Sequence, residues 1–133
     1  MGRARLAFAV ALLALLLGGA GALAWWSAVS APAGAAQVHV EIVGPQGALF
    51  NGTVRVANAT ALSALQEAAR AGNLTVEVVE YPGMGAYVSR IGPYSAHGGA
   101  GWVYEVDGVS GDRSAARLPL HDGDSLRWSW TDG

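Results

Sequence analysis

The residues best suited to chemistry are rings beside bare backbone. Trp102 and Tyr104 alternate along Gly101-Trp102-Val103-Tyr104-Glu105-Val106, directly after Gly98-Gly99-Ala100. Large flat rings next to chain with few side chains suit a planar ligand, since aromatic groups give wide contact at low entropic cost. Tyr87 and Tyr94 extend that rim. The candidate ligand-binding set is therefore Tyr87, Tyr94, Gly99, Gly101, Trp102 and Tyr104. The alternative is a core role, because a strand places Trp102, Tyr104 and Val106 on one face.

Other chemistries find less support. A phosphate-binding glycine loop leads from a strand into a helix, whereas Gly98–Gly101 leads into a strand. His39, His97 and His121 lack metal-ligand spacing. Asp122 and Asp124 do not begin a calcium loop, and turn chemistry accounts for them, as it does for Asp107 and Asp112. Ser95 and His97 lie two residues apart without a third partner, and no nucleophile elbow is present. The sequence thus assigns no catalytic residue and no metal site.

The three asparagines, Asn51, Asn58 and Asn73, each open an Asn-x-Thr triplet. If Ser and Thr fill about a tenth of positions, three independent hits arise roughly once in a thousand. They are candidate glycosylation acceptors. The competing account is that Asn occupies turns and caps for backbone reasons, with Thr following in strands.

These residues need a scaffold. Val38, Val40 and Ile42 alternate with polar neighbours, which predicts a strand over Gln37–Val43. Gly44-Pro45-Gln46-Gly47 turns into a second strand near Gly52–Val56. Thr60–Ala71 changes period: Ala61, Leu62, Leu65, Ala68 and Ala69 form an apolar stripe, with Gln66, Glu67 and Arg70 outside it. Thr60 or Asn58 caps its start, and Gly72 suits the left-handed position after its end. Further strands are expected at Leu74–Glu80, Ala86–Ile91 and Trp102–Val106, and last at Leu126, Trp128 and Trp130. Residues 92–101 read as an irregular loop and Asp107-Gly108 as a tight turn. The order β-β-α-β-β-β-β predicts a single α+β domain of β-grasp type, one helix on a mixed or antiparallel sheet. Burying Trp128 and Trp130, at about 150–250 Å² per aromatic, supplies several kcal/mol to a small core.

Ahead of this domain, Leu6–Trp26 holds no charge and no Ser, Thr, Asn or Gln. As a helix its 21 residues span about 30 Å, a bilayer's hydrocarbon thickness. Arg3 and Arg5 precede it, so the start is expected to stay cytoplasmic and the remainder to be exported. The segment either remains as a single-pass membrane anchor or is cleaved as a signal, at Ala22-Leu23-Ala24 or Ala33-Gly34-Ala35. The expected organisation is an anchor or signal over 1–26, a flexible linker over 27–36 and the domain over 37–133. Beyond residue 36, six Arg face ten Asp and Glu, which excludes an electrostatic nucleic-acid binder. With no Cys there is no disulfide framework and no thiolate site.

The helix Ala61-Leu62-Ser63-Ala64-Leu65-Gln66-Glu67-Ala68-Ala69, with Gly101-Trp102-Val103-Tyr104-Glu105-Val106-Asp107-Gly108 and Leu120-His121-Asp122-Gly123-Asp124-Ser125-Leu126-Arg127-Trp128, resembles the transcobalamin-like C-terminal domain family. The resemblance covers Val38 to Trp130. It implies a β-grasp-like fold, an exported location, and cobalamin or another flat molecule as ligand. In the vitamin B12 carriers the related domain closes over one face of a corrinoid held by a larger helical domain. No such helical domain occurs in this sequence. The implied function is a non-enzymatic exported binding module whose partner is a small molecule or another exported protein. The alternative is a structural or adhesive surface module without a pocket.

Overall fold

The computed structural model describes residues 35–133. The expected anchor or signal, its cleavage sites and nearly all of the linker lie outside the described residues. Among those described, no helix is long and apolar enough to cross a membrane.

The chain opens with strands β1 (Ala36–Gly44) and β2 (Gly47–Val56), then helix α1 (Ala61–Ala71). Next come β3 (Val76–Tyr81), β4 (Gly85–Ile91), the short β5 (Tyr94–Ser95), β6 (Gly101–Val106) and the short β7 (Val109–Ser110). A 3₁₀ turn (Ala115–Arg117) precedes β8 (Ser125–Thr131). One sheet runs β2-β1-β8-β6-β7 and a smaller one β3-β4-β5. All pairings are antiparallel except β1 with β8, which run parallel at the centre of the larger sheet. The result is a mixed α+β domain, one helix on mostly strand structure.

Alternation builds the core. Val38, Val40 and Ile42 are fully buried, and the register sets Val40 beside Leu126 and Ile42 beside Trp128. Across β6 and β8 the pairs Trp102–Trp130, Tyr104–Trp128 and Val106–Leu126 continue the same face. Both expected aromatic stripes are therefore one surface. The opposite face is polar and carries the Glu41–Arg127 ion pair at 3.7 Å.

Helix α1 buries Ala61, Ala64, Leu65, Ala68 and Ala69. Thr60 is its cap: the side chain accepts from the Ser63 backbone at 3.0 Å, and Ser63 Oγ accepts from the Thr60 backbone at 2.8 Å. This reciprocal pair satisfies two otherwise orphaned amides. At the other end the expectation for Gly72 is corrected. Gly72 has φ −90°, and Asn73, at φ 59°, takes the left-handed position. Leu74 then donates to Ala69 and Asn73 to Arg70, closing a Schellman motif one residue later than expected.

Other boundaries also move. β1 starts at the buried Ala36, one residue inside the expected linker. β2 begins at Gly47 rather than Gly52, because the first hairpin pairs down to Gly44–Gly47. Leu74 belongs to the helix stop, so β3 starts at Val76. The 92–101 loop contains β5 and a two-residue turn in which His97 and Ala100 exchange both backbone hydrogen bonds, at 3.0 and 2.8 Å. Asp107 and Gly108, at φ 51° and 84°, form the expected tight turn.

Leu65, wholly buried beneath the helix, is the clearest test of this core. Leu65→Ala should lower unfolding free energy by about 3 kcal/mol with an unchanged denaturant slope. Thr60→Ala should cost about 1 kcal/mol, and Thr60→Ser little.

Candidate functional site

A cleft of about 150 Å³ opens between β4 and β6. Its walls are Ala86, Tyr87 and Val88 of β4, Trp102 and Tyr104 of β6, Trp128 of β8, and the Arg113–Ala115 segment. Each ring is fixed by a different contact. Tyr104 lies over Trp128 with ring centroids 5.1 Å apart, tilted by 34°. Its hydroxyl donates to the Arg113 carbonyl at 2.7 Å. Trp102 donates through Nε1 to the Tyr94 carbonyl at 3.0 Å and meets Trp130 edge-on, centroids 5.5 Å apart. Trp128 donates to the Ala61 carbonyl of the helix at 3.3 Å. Buried indole N–H groups need such partners.

Ser114 ties the third wall to β4. Its Oγ accepts from the Ala86 backbone N–H and donates to the Ala86 carbonyl, both at 3.0 Å. Gly111 makes room for the Tyr104 ring. A Cβ added there would fall within the ring itself, so only glycine admits this close approach. Gly101 plays a milder part, since its Cβ would sit 3.0 Å from the Tyr87 hydroxyl.

The sequence-derived set therefore divides. Tyr87, Gly101, Trp102 and Tyr104 come together at the cleft. Tyr94 instead packs on Trp130, centroids 6.1 Å apart, and closes over Gly44. Gly99 sits exposed at a hairpin tip near Gly133. Arg113, Ser114 and Trp128 join the lining without having been singled out for binding. Trp128 was readable as an inward aromatic, but its position under Tyr104 depends on cross-strand register. Nothing periodic marks residues 111–119.

The electrostatics centre on one exposed pair. Arg113 donates to Asp112 at 2.9 Å and holds that carboxyl below the usual carboxylate range, while Asp112 in turn raises Arg113. Burial pushes the Tyr104 phenol above its ordinary 10.0; Asp112 adds to the shift, and Arg113 opposes it. The phenol is thus held neutral as a hydrogen-bond donor.

The acidic turns serve the backbone. Asp122 accepts from the Gln37 amide at 2.7 Å, Asp124 from His121 at 2.7 Å, and Asp107 from Ser125 at 2.9 Å. His97 stacks near Trp130, centroids 5.9 Å apart. Among the described residues no three His, Asp or Glu side chains gather as a metal site.

The sequence pattern of the Domain of unknown function (DUF4430) matches residues 58–132. The chain belongs to the DUF4430 family. That DUF4430 match runs from just before α1 to the end of β8 and includes the whole cleft. No curated protein matches the sequence. Among solved structures, a protein from Ruminococcus gnavus ATCC 29149, provisionally described as metal binding and determined at 1.30 Å, is similar. It has 18 % identity and a TM-score of 0.55, covering 74 % of this chain and 98 % of that one. Haptocorrin in complex with Cbi is also similar, at 17 % identity and a TM-score of 0.63. That match covers 84 % of this chain but 28 % of haptocorrin, so this DUF4430 protein corresponds to under a third of haptocorrin's length. At these identities the likeness is one of fold.

Two measurements test the ring's environment. In an alkaline titration of tyrosinate absorbance, one component should lie above pH 10 and vanish in Tyr104→Phe. Because the folded value is raised, the neutral phenol's contribution to stability is complete below the ordinary value and lost as pH climbs through the raised one. Gly111→Ala should displace the ring, cost about 1–3 kcal/mol and move that component back toward its ordinary position.

Proposed function

We propose that this chain is an exported, membrane-tethered or secreted, non-enzymatic binding module of β-grasp-like fold, and that the cleft between β4 and β6 grips the edge of a flat ligand. The observation that carries this reading is that the exposed Tyr87 and half-buried Tyr104 flank one opening floored by the buried Trp102 and Trp128. Its size refines the reading. Pockets that enclose a small molecule usually run to about 300–1,000 Å³, and this one measures about 150 Å³. It therefore admits only the edge of such a ligand, the rest projecting beyond the cleft. The fold-level likeness to haptocorrin, which was solved with Cbi, supports a corrinoid-like ligand held at its edge. Arg113, at the rim, provides a cation for a polar or anionic edge of that ligand.

Export rests on the apolar Leu6–Trp26 segment and the arginines before it. Amino-terminal sequencing of the mature protein separates an anchor, with residue 1 or 2 retained, from cleavage after Ala24 or Ala35.

A second reading, a protein-interaction module without a small ligand, is favoured by the exposed β3–β4 hairpin. Val79, Tyr81 and Met84 are 40 %, 49 % and 75 % exposed there, beside Tyr87.

Titration of the protein with cobalamin or Cbi, followed by tryptophan emission, distinguishes the two. A saturable change is expected, weakened at least tenfold by Tyr87→Ala, a substitution at a 41 %-exposed side chain that leaves the core intact. No saturable change up to high micromolar ligand would overturn the corrinoid reading and leave the protein-interaction one.

A further inference from the structure

We propose that Asn51 carries an N-linked oligosaccharide, with Asn58 and Asn73 as two further acceptors on the exposed surface. The inference rests on the export reading above.

The argument starts from Asn51. It lies within β2, opposite Glu41, and is exposed. Asparagine is depleted in strands. Among the described residues its side chain makes no hydrogen bond that would explain it, and its φ is not in the left-handed region. Thr53, two positions on and also exposed, shares its face, as the period of two in a strand requires. The acceptor amide and the hydroxyl that recognition of the triplet needs thus project together from an extended segment.

β2 is also the terminal strand of its sheet, so among the described residues one edge of a ten-residue strand is unpaired. A long free edge invites pairing with another chain. A bulky hydrated glycan beside it blocks that approach.

Asn58 and Asn73 are exposed too, at φ 51° and 59°. Their conformation gives a backbone reason for asparagine, and Thr60, two residues after Asn58, is the helix cap, so these two sites rest on the triplet pattern alone. Asn58 follows β2 directly. Asn73 ends the helix where Gly72 lies against Phe50 of β2; a Cβ on Gly72 would be 3.0 Å from that ring. Asn58 and Asn73 thus stand at opposite ends of α1, and none of the three asparagines lines the cleft.

The chemistry is a transfer from a lipid-phosphate-linked oligosaccharide by a separate glycosyltransferase. The Asn51 amide nitrogen forms a bond to the anomeric carbon, and the bond from that carbon to the phosphate oxygen breaks. The amide gives up one proton, and the lipid phosphate leaves.

The test is mass spectrometry of the full chain expressed in its native host, with digestion of intact cells by added protease and assay of the medium to fix its compartment. The expected result is a peptide containing Asn51 heavier by one oligosaccharide, with the increment lost in Asn51→Gln and Thr53→Val and retained in Thr53→Ser. A bare Asn51 on chain found outside the membrane overturns this proposal alone. A bare Asn51 on chain found only inside overturns it together with the export reading.

Discussion

The parallel pairing of β1 with β8 is the constraint on which the rest depends. It joins the first described strand to the last, across most of the domain's sequence. Neither strand has a local partner that could replace the other, because β1 has only β2 on its far side and β8 only β6. Asp122 and Asp124 secure the junction through backbone amides at the start of β1 and before β8. Once it forms, Ile42 meets Trp128 and Val40 meets Leu126, and the surface on which α1 packs exists. Contacts of such wide sequence separation close late, after loop entropy has been overcome.

The cleft is a by-product of how the two sheets fail to merge. β4 and β6 approach without pairing, and Ser114 bridges part of the gap by hydrogen-bonding both backbone groups of Ala86. Rings fill what backbone does not. Tyr104 is held at three points: by Trp128 below, by the Arg113 carbonyl at its hydroxyl, and by the bare Gly111 along its side. A ring so placed is rigid, and burial raises the pH at which it ionises. What the cleft presents is a preorganised surface of rings.

Much of this was legible in the residues. Alternation in Val38-His39-Val40-Glu41-Ile42 and in Leu126-Arg127-Trp128-Ser129-Trp130 fixed two central strands, and the change of period at Thr60 marked the helix. What escaped notice was short or non-local. β5 and β7 are two residues each, too brief for a period to register, and the 3₁₀ turn exists because Ser114 is anchored to β4. Within the site, Tyr87, Trp102 and Tyr104 were legible as rings near a glycine-rich segment. Tyr94 and Gly99 looked equivalent from sequence proximity, yet the hairpin at His97–Ala100 turns them toward Trp130 and the chain end. Trp128 and Arg113 enter only through register and close approach, which no single stretch of sequence encodes.

The central strand pair also sets how the domain bears load. Its chain enters at the beginning of β1 and leaves at the end of β8, and these two strands lie side by side pointing the same way. Tension applied between those ends pulls the strands in opposite senses along their length, so every bridging hydrogen bond is strained at once instead of opening one by one. A module linked at one end to a surface and at the other to a moving partner would thus yield only at high force.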